Sequence, residues 1–342
     1  MADSPDQKRL SLFVTADLPR EVMNDLRRDC DVEFAREQAP DVPVDIQLQS
    51  TSRPIALISV NEPLDPVTIG KLPPTMNIIA TYSVGHEHID LAAAKRRGLV
   101  VFNLPDVLTE AVADFAWALL LATARRLGES ERYLRSGQWA GWSYRRLLGV
   151  DVHGRTLGIL GMGRIGQAIA RRAAGFRMPV IYHNRSRLPD GVEQECRAEY
   201  VDRDVLLRRA DFLVLALPLT AANRHAIGAT ELALMKPSAL LVNVARGGIV
   251  DDAALVAALQ EGRLAGAGLD VFENEPALHP LLPTLDNVVL TPHIASASVD
   301  ARRAMTRVAV DNLIAALGFG PDAGRPPNAV NHEVLCNGHQ RR

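Results

Sequence analysis

The chain has 342 residues, of which 47% are hydrophobic and 23% charged, and its formal net charge is -2 at pH 7. That length exceeds the usual size of a single hydrophobic core and predicts two domains of ordinary size. The nearly balanced charge gives no electrostatic reason to expect nucleic acid or an anionic membrane as a partner.

The cysteines and the N-terminus bear on the cellular compartment. Cys30, Cys196 and Cys336 lie far apart and match no metal-ligand or redox spacing, which indicates free thiols in a reducing compartment. The stretch MADSPDQKRL lacks the apolar core of a signal peptide, and the most apolar predicted helix, AVADFAWALLLATA, is short and contains Asp114. We therefore expect a soluble, cytoplasmic protein without a membrane partner.

Short β-rich runs alternate with helical stretches from Ser11 onward. The runs are SLFVTAD, PIALISV, MNIIATYSVG and LVVFN, and helix-like segments such as DLAAAKRRG lie between them. This order predicts a parallel sheet covered by helices on both faces. A long helical stretch then begins near Thr109 and ends near Gly128, and a second helical piece follows it.

A second series of strands and helices fills the rest of the chain. Its β-rich runs are TLGIL, PVIYHN, FLVLAL, ALLVNVA, GAGLDVF and NVVLTPH. The segment from Ala297 to Leu317 is again helical, and the remainder, rich in Gly, Pro and polar residues, is predicted to be a loose tail. Because the last helix has no neighbouring strand in the sequence, we expect it to cross back to the first unit and make that unit discontinuous.

A glycine motif follows the first strand of the second series. Gly161, Gly163 and Gly166, with Arg164 and Ile165 between them, come directly after TLGIL and open the helical stretch IGQAIARRAAG. A tight turn, a bare backbone and a helix N-terminus together favour the pyrophosphate of a dinucleotide. The alternative is a glycine-rich turn with a purely structural role.

The end of the next strand bears on which dinucleotide binds. An NAD-specific site usually has an acid about 20 residues after the motif, on the ribose 2′-hydroxyl. Here Asn184 follows Gly166 at that distance, and Arg185, Ser186 and Arg187 come after it. Two guanidiniums and a hydroxyl attract a 2′-phosphate, so we predict NADP(H) in preference to NAD(H), with Arg185 as the principal contact. The alternative is an exposed turn with incidental arginines.

Arg246 stands at the mouth of a buried strand. It follows an apolar run and precedes two glycines in ALLVNVARGGIVDD. A guanidinium in such a place is costly unless an anion pairs with it. The sequence therefore predicts an anionic ligand next to Arg246.

Four motifs, GMGRIGQAIARR, NVARGGIVDDAALVAAL, AGAGLDVFENEP and LTPHIASAS, occur in an order that resembles the D-isomer-specific 2-hydroxyacid dehydrogenases, particularly the glyoxylate/hydroxypyruvate reductase branch. The match runs from about Ile78 to Leu317. The resemblance implies an α/β protein with two Rossmann-like parallel-sheet domains and a substrate cleft between them. These would be a flavodoxin-like substrate domain, residues 1–105 and 296–342, and an NAD(P)-binding domain, residues 106–295. It also implies a homodimer through the cofactor domains, with the helix after Thr109 at the interface.

The reaction of that family defines three roles at the site. Hydride from the nicotinamide must reach a ketone carbon while a proton reaches its oxygen. The resemblance implies that His293 is the acid/base, that Glu275 orients the imidazole and stabilises its charged form, and that Arg246 binds the substrate carboxylate and polarises the carbonyl. The anion expected at Arg246 is then a 2-oxoacid.

Each of these residues, considered alone, could have a structural role instead of a catalytic one. A histidine after Thr-Pro is more often structural, and a glutamate before proline is usually on the surface. Their joint occurrence at predicted strand ends favours catalysis. Glu273 is the nearby competitor for Glu275, but the family pattern places the functional acid just before the proline.

The first domain is expected to add backbone N–H groups to the substrate site. These come chiefly from Val84 and Gly85 in YSVGHEHID, and Gly85 permits the close approach that this needs. His86 and His88 could suggest a metal, but no third ligand accompanies them and the family uses none. We interpret both histidines as structural and expect no metal. Where many relatives carry another residue after this glycine, this chain has His86.

Further contacts with the cofactor are implied by the resemblance. Thr109 would approach the nicotinamide, and Asp270 would hold its amide group. Leu217 and Pro218 would line the adenine side. The remaining predicted cofactor-binding residues are Val244, Ala245, His293, Ala295 and Ser296. Trp142 and Tyr144 could reach the cleft from a neighbouring subunit.

The leading interpretation is an NADPH-preferring reductase of glyoxylate, hydroxypyruvate or a similar small 2-oxoacid, which gives the D-2-hydroxyacid. Enzyme alternatives are an NAD-dependent 2-hydroxyacid, 3-phosphoglycerate, phosphite or formate dehydrogenase. A dinucleotide-sensing transcriptional corepressor shares the same scaffold. Arg246, Glu275 and His293 favour catalysis, but they do not exclude the sensor, which keeps them too.

Overall fold

The computed structural model describes residues 10–15, 27, 30–34, 48, 54–59, 62–318 and 322–338. The chain divides into two compact units, Met1–Leu108 with Val299–Arg342, and Thr109–Ser298. The domain boundaries predicted from the sequence lie a few residues before these positions. The cleft between the two domains stays a prediction.

In the described residues of the first unit, five parallel strands form one sheet. These are β1 (Leu10–Val14), β2 (Cys30–Phe34), β3 (Ala56–Ser59), β4 (Ile78–Thr81) and β5 (Val100–Phe102). Their spatial order is β2-β1-β3-β4-β5, which is the flavodoxin-like order. Helices α1 (Pro66–Lys71) and α2 (Leu91–Arg97) lie in the connections. Strands β3 and β4 are buried along their whole length, as expected for strands covered on both faces.

The second unit contains a seven-stranded parallel sheet. Its strands are β6 (Leu157–Leu160), β7 (Val180–His183), β8 (Ala198–Tyr200), β9 (Phe212–Leu215), β10 (Leu240–Asn243), β11 (Gly266–Leu269) and β12 (Val288–Leu290). The spatial order is β12-β11-β10-β9-β6-β7-β8. The chain therefore starts in the sheet interior at β6, adds β7 and β8 on one side, and then reverses to add β9 to β12 on the other. Open α/β sheets bind ligands at such a reversal, outside the carboxyl ends of the strands.

Seven helices accompany this sheet. They are α3 (Thr109–Ala124), α4 (Leu127–Arg135), α5 (Arg164–Ala173), α6 (Asp190–Cys196), α7 (Arg203–Arg209), α8 (Ala229–Leu234) and α9 (Asp252–Gln260). The predicted long helix ends at Ala124 rather than near Gly128, because Arg126 has a left-handed backbone with φ of 53°. None of the helices in the described ranges combines the length and apolar character needed to cross a bilayer.

Close packing fixes α3 on the sheet. A Cβ added to Gly268 of β11 would lie 2.7 Å from Leu119 Cγ, so glycine allows the helix to approach the strand. Trp117 of α3 donates a hydrogen bond from Nε1 to the carbonyl of Ile169, and its ring stacks on Phe176 at 4.6 Å. The apolar helix is therefore part of the core that positions α5 and the glycine turn before it.

The last helices pack on the first unit. They are α10 (Val299–Ala316) and α11 (Glu333–Gly338). The hydroxyl of Tyr82, just after β4, donates to the carbonyl of Arg302 on α10 at 2.8 Å. Part of the predicted loose tail packs beside β5, where Asn331 is buried. Its side-chain oxygen accepts a hydrogen bond from Val101 N, and its side-chain nitrogen donates one to Leu99 O, both at 2.9 Å. The prediction of a loose tail is therefore wrong for this stretch.

Candidate active site

The predicted site residues of the second unit follow the carboxyl ends of its strands. In chain order these positions are the glycine motif after β6, Asn184 after β7, Leu217 after β9, Arg246 after β10, Glu275 after β11 and His293 after β12. Strands β10, β11 and β12 are neighbours, so the three predicted catalytic residues lie on adjacent loops of one sheet edge. The parallel order brings together residues that are far apart in the sequence.

His293 and Glu275 form a hydrogen-bonded pair. The imidazole Nδ1 lies 2.7 Å from Glu275 Oε2, and Glu275 Oε1 accepts a hydrogen bond from the N–H of Phe272 at 2.9 Å. Burial raises the pKa of Glu275, but the bonds from His293 and Phe272 and the charge of Arg246 outweigh it and leave that pKa below its usual value. An ionised carboxylate therefore holds Nδ1, and Nε2 is the nitrogen left to exchange a proton with a ligand.

The backbone of His293 adopts an unusual conformation that its neighbours hold. Its φ is 54°, in the left-handed region, and its N–H donates to the carbonyl of Asp270 at 2.9 Å. The buried carboxylate of Asp270 accepts hydrogen bonds from Thr291 Oγ1 at 2.6 Å and from the N–H groups of Ile294 and Ala295 at 2.8 Å. Asp270 therefore fixes the loop that carries His293. Its contact with the nicotinamide amide stays a prediction.

Arg246 is half-buried on a loop that Asn243 shapes. The buried Asn243 amide accepts from Ala245 N at 3.1 Å and donates to the carbonyl of Arg246 at 3.2 Å. The guanidinium Nη1 donates to the carbonyl of Ala245 at 2.8 Å. Because its charge lowers the pKa of Glu275, Arg246 belongs to the same electrostatic site as the His293–Glu275 pair.

The loops after β10 and β11 are in direct backbone contact. A Cβ added to Gly247 would lie 1.6 Å from the carbonyl oxygen of Phe272, a distance no side chain can occupy. Gly248, which follows, has a φ of 76° and also requires glycine. The two glycines after Arg246 therefore set its position relative to the loop of Glu275.

Glu273 and Glu275 have different partners. Glu273 Oε1 lies 2.7 Å from His225 Nε2 and accepts a second hydrogen bond from Arg224. Glu275 instead faces His293. The geometry thus separates the two acids: only Glu275 is placed to act on the imidazole at the end of β12.

An apolar cavity adjoins the His293–Glu275 pair. Its volume is about 390 Å³, and it is lined by Phe272, Glu275, Pro276, Leu278, Leu290, Thr291, Pro292 and His293. Apolar walls keep the local dielectric constant below that of water, which strengthens the attraction between the carboxylate and a protonated imidazole.

The glycine motif forms a cradle in which the three glycines differ in role. Gly161 has a φ of 99°, and a Cβ there would meet the carbonyl of Ala216 at 2.7 Å. A Cβ on Gly166 would lie 2.3 Å from the carbonyl oxygen of Gly161. At Gly163, the N-cap of α5, a Cβ would meet no atom within 4 Å. The open space thus lies over a helix N-terminus, where a pyrophosphate fits.

Two glycine-to-alanine substitutions are expected to give opposite results. Gly163→Ala has room in the protein itself, so its Tm should stay near that of the wild type while its Kd for the dinucleotide rises about tenfold or more. Gly247→Ala forces two backbone segments apart and should lower the Tm sharply. Differential scanning calorimetry and titration calorimetry test both. Unchanged dinucleotide binding by Gly163→Ala would contradict the assignment of the open space to the cofactor.

The loop after β7 corrects one detail of the cofactor prediction. Arg187 is held by Glu193 through two hydrogen bonds, Nε to Oε1 at 2.9 Å and Nη2 to Oε2 at 2.7 Å. Arg185 and Ser186 are exposed, and within the described residues neither side chain has a partner. Of the two guanidiniums predicted to attract a 2′-phosphate, only that of Arg185 has no partner among the described residues. Asn184 accepts a hydrogen bond from Met162 N at 2.6 Å and ties this loop to the glycine turn.

In the first unit, Val84 and Gly85 present backbone N–H groups. Asn103 Nδ2 donates to the carbonyl of Val84 at 2.9 Å, and Ser83 Oγ donates to that of Gly85 at 2.5 Å. Both carbonyls are therefore occupied, whereas neither N–H donates a hydrogen bond to any other described residue. Such N–H groups suit a carboxylate.

The two histidines that follow differ in their surroundings. His88 Nε2 lies 3.2 Å from Thr81 Oγ1, and the His88 carbonyl accepts from Leu64 N at 2.8 Å. The carbonyl of His86 accepts from Ile89 N at 3.0 Å. In the parts of the chain that the structure describes, no group of three or more His, Cys, Asp or Glu side chains could hold a metal ion.

The other predicted cofactor residues lie along the same sheet edge of the second unit or at the start of α3. Thr109 is the first residue of α3, and Leu217 lies against the glycine turn, its Cβ 2.8 Å from where a Cβ of Gly161 would be. Val244, Ala245 and Ala295 are buried, Ile165 and Ser296 are half-buried, and Arg164 and Pro218 are exposed. Trp142 and Tyr144, which were predicted to reach the cleft from a neighbouring subunit, lie between α4 and β6 and are exposed. The sequence did not predict three contacts: Glu193 with Arg187, Asn184 with Met162 N of the glycine turn, and Asn243 with the backbone of the Arg246 loop.

The fold and site define an NAD(P)-dependent oxidoreductase: a glycine cradle stands at the reversal point of a parallel sheet, and a histidine–carboxylate pair stands on the same edge. The comparison with known families agrees. Residues 117–295 match the family described as D-isomer specific 2-hydroxyacid dehydrogenase, NAD binding domain. The chain belongs to this family of dehydrogenases, in its glyoxylate/hydroxypyruvate reductase-like branch.

Similar proteins cover nearly the whole chain. The glyoxylate reductase of Thermococcus gammatolerans is 46% identical over 329 residues, 95% of this chain and 96% of the relative. A crystal structure of a glyoxylate reductase from Paecilomyes thermophila has a TM-score of 0.83 at 33% identity and covers 96% of this chain and 100% of its own. An NADPH-dependent glyoxylate/hydroxypyruvate reductase from Sinorhizobium meliloti, in complex with NADP and malonate, has a TM-score of 0.80 at 37% identity, with 94% and 97% covered.

Proposed function

We propose that the protein is an NADPH-preferring reductase that converts glyoxylate, hydroxypyruvate or a similar small 2-oxoacid to the hydroxyacid, of D configuration where a stereocentre forms. The observation that carries this proposal is the His293–Glu275 pair, joined at 2.7 Å, with Arg246 on the adjacent loop. The names of the similar proteins support the substrate class.

Substrate binding is assigned first to Arg246. Arg246 binds the carboxylate of the 2-oxoacid and polarises its carbonyl, because a guanidinium offers two parallel N–H donors to one anion. In the first unit, the backbone N–H groups of Val84 and Gly85 are further proposed donors to a carboxylate. These contacts hold the substrate with its ketone oxygen toward His293.

Proton transfer is assigned to His293. When bound, the nicotinamide supplies the hydride that reduces the ketone carbon. The protonated imidazole donates its Nε2 proton to the ketone oxygen, and ionised Glu275 stabilises the imidazolium through Nδ1. The glycine cradle, Arg185 and the loop after β9 hold the dinucleotide.

The test is a spectrophotometric assay of the purified protein. NADPH or NADH is mixed with glyoxylate, hydroxypyruvate, pyruvate or phenylpyruvate, and the absorbance of the reduced cofactor is followed. Faster turnover with NADPH on glyoxylate or hydroxypyruvate is the expected result. A parallel assay mixes NAD with 3-phosphoglycerate or phosphite, and NADH formation there without turnover of the 2-oxoacids would favour the other dehydrogenases. Dinucleotide binding without turnover of any acid would favour a sensor.

The cofactor preference rests on Arg185. The substitution Arg185→Asp places a carboxylate where a 2′-phosphate would bind, so we expect the KM for NADPH to rise about 10- to 100-fold. The KM for NADH should change little, because its 2′-hydroxyl carries no charge. Steady-state kinetics with each dinucleotide measures both values. An equal rise in the two KM values would remove Arg185 from phosphate recognition.

We also propose that the protein is a cytoplasmic homodimer. Residues 127–150 expose several large apolar side chains, and a second copy of the chain would cover them. They are Leu127, Leu134, Trp139, Trp142, Tyr144 and Leu148. Light scattering on the purified protein should give twice the mass of one chain, and a mass of one chain at micromolar concentration would contradict the proposal.

A further inference from the structure

A hydrogen-bond network that the proposed reaction does not use lies beside the loop after β7. Its centre is Glu193, a buried acid on α6, which Arg187 contacts through two nitrogen atoms. The hydroxyl of Tyr182, a fully buried residue of β7, donates to Glu193 Oε1 at 2.6 Å and accepts from Leu188 N at 2.9 Å. Three side chains thus fix the far end of this loop to the strand and to the following helix.

The near end of the same loop is fixed separately. The side-chain oxygen of Asn184 accepts from Met162 N at 2.6 Å, and the hydroxyl of Tyr200 reaches the Asn184 carbonyl at 3.4 Å. Between the two anchored ends, Arg185 and Ser186 project into solvent. The loop therefore presents one guanidinium and one hydroxyl at a defined place beside the glycine cradle.

The charge of Glu193 is compensated inside the network. Hydrogen bonds from Arg187 and Tyr182 outweigh burial and lower the pKa of Glu193 to about 2, so the acid is ionised at neutral pH. A bare carboxylate near the loop would repel a phosphate dianion. Arg187 offsets the charge of Glu193 and also lies 3.9 Å from Asp190, so among the described residues the positive charge of this loop that has no acidic partner is that of Arg185.

We propose that Glu193, Tyr182 and Arg187 are positioning residues for recognition of the NADPH 2′-phosphate. They hold Arg185 and Ser186 in the arrangement that binds the phosphate, and Arg187 acts through Glu193 rather than on the phosphate itself. A loop that is ordered before binding loses less conformational entropy when the ligand arrives. This inference rests on the NADPH preference proposed above.

The substitution Tyr182→Phe tests the network without changing any charge. It removes the hydroxyl that joins Glu193 Oε1 to Leu188 N, and the side chain of Tyr182 is fully buried. We expect the Kd for NADPH, measured by titration calorimetry, to rise about fivefold, and the Kd for NADH to stay within about twofold. The fragments 2′,5′-ADP and AMP should show the same contrast. A ratio of NADPH to NADH affinity equal to that of the wild type would overturn the proposal.

A second comparison distinguishes positioning from direct contact. Arg187→Leu leaves Glu193 ionised and uncompensated, so NADPH binding should weaken about tenfold. Adding Glu193→Gln removes that charge. The Kd of this double variant for NADPH should be at least threefold lower than that of Arg187→Leu. If Arg187 contacts the phosphate directly, the double variant will bind NADPH no better than Arg187→Leu, which would overturn the assignment. The Kd for NADH and the Tm of each variant confirm that it is folded.

Measurements on the wild-type protein distinguish the proposed NADPH preference from the proposed positioning role. Equal affinity for NADPH and NADH in the wild type would contradict the proposed preference and the positioning role together. A wild-type preference that survives Tyr182→Phe would contradict the positioning role alone. Should Tyr182→Phe fail to fold, Arg187→Lys serves instead, because this exposed side chain tolerates change and lysine cannot form both parallel hydrogen bonds. It should weaken NADPH binding selectively, and an unchanged ratio would again overturn the proposal.

Discussion

The substitution His293→Gln is expected to lower kcat with glyoxylate by about 10²- to 10⁴-fold, the range over which a positioned general acid accelerates a reaction. Glutamine is similar in length and can still hydrogen-bond Glu275, but it has no proton to transfer at neutral pH. Stopped-flow or steady-state measurement of NADPH oxidation gives kcat, and titration calorimetry shows whether the dinucleotide still binds. A kcat within about threefold of the wild type would mean that His293 is not the acid.

A matched pair of acids provides the control for that result. Glu275→Gln keeps the shape of the side chain but removes the charge that faces His293 Nδ1, so kcat should fall by about tenfold or more. Glu273→Gln makes the same chemical change two residues away, where the partners are His225 and Arg224. It should affect kcat much less. Equal losses in the two variants would indicate a general disturbance of the loop rather than a role in proton transfer.

The second large effect is expected for Arg246→Gln. Removal of the guanidinium takes away both the carboxylate anchor and the polarisation of the carbonyl, and kcat/KM for glyoxylate should fall about 10²- to 10³-fold. Much of the loss should appear as a higher KM for glyoxylate, since the guanidinium binds the carboxylate of the substrate before the reaction as well as in the transition state. The Kd for NADPH should change little. Steady-state kinetics over a wide range of glyoxylate concentrations measures the two parameters.

Arg224→Gln is the control for Arg246→Gln. Arg224 also lies near the loop after β10, since its Nη1 is 3.4 Å from the Cβ position of Gly248, but its charge is paired with Glu273. Its loss should leave kcat/KM within about fivefold of the wild-type value, because its side chain is exposed and its charge is already paired with Glu273. A loss at Arg224 as large as that at Arg246 would contradict the assignment of the anion to Arg246.

Patterns in the sequence located most of the strands and the residues that follow their carboxyl ends. Buried parallel strands are short apolar runs, and their carboxyl ends can be located from the polar or glycine residue that follows. Strands β6, β9, β10 and β11 are buried along their whole length, which is why TLGIL, FLVLAL, ALLVNVA and GAGLDVF were recognisable. The glycine motif was recognisable for a related reason, since two of its positions have no room for a Cβ.

The sequence patterns did not predict two of the described strands. One lies at an edge of the five-stranded sheet and the other at an edge of the seven-stranded sheet. Strand β2, CDVEF, contains two acids, and strand β8, AEY, is only partly buried. A strand at an edge is paired on one side and partly solvated, so its residues need not be apolar and the pattern that identifies an interior strand is absent. The tail was misjudged for a different reason: its order on β5 comes from the amide of Asn331, which no local pattern reveals.

The sequence by itself determined the two series of strands, the cradle for a dinucleotide and the residue types at each strand end, because these depend on local burial and backbone geometry. Only the tertiary structure decided which side chains are paired. Arg187 and Arg185 are equivalent when counted along the chain, yet one is taken by Glu193 and the other faces solvent. Glu273 and Glu275 differ in the same way. Pairing depends on distances of a few ångströms between separate loops, and those distances exist only once the strands lie side by side.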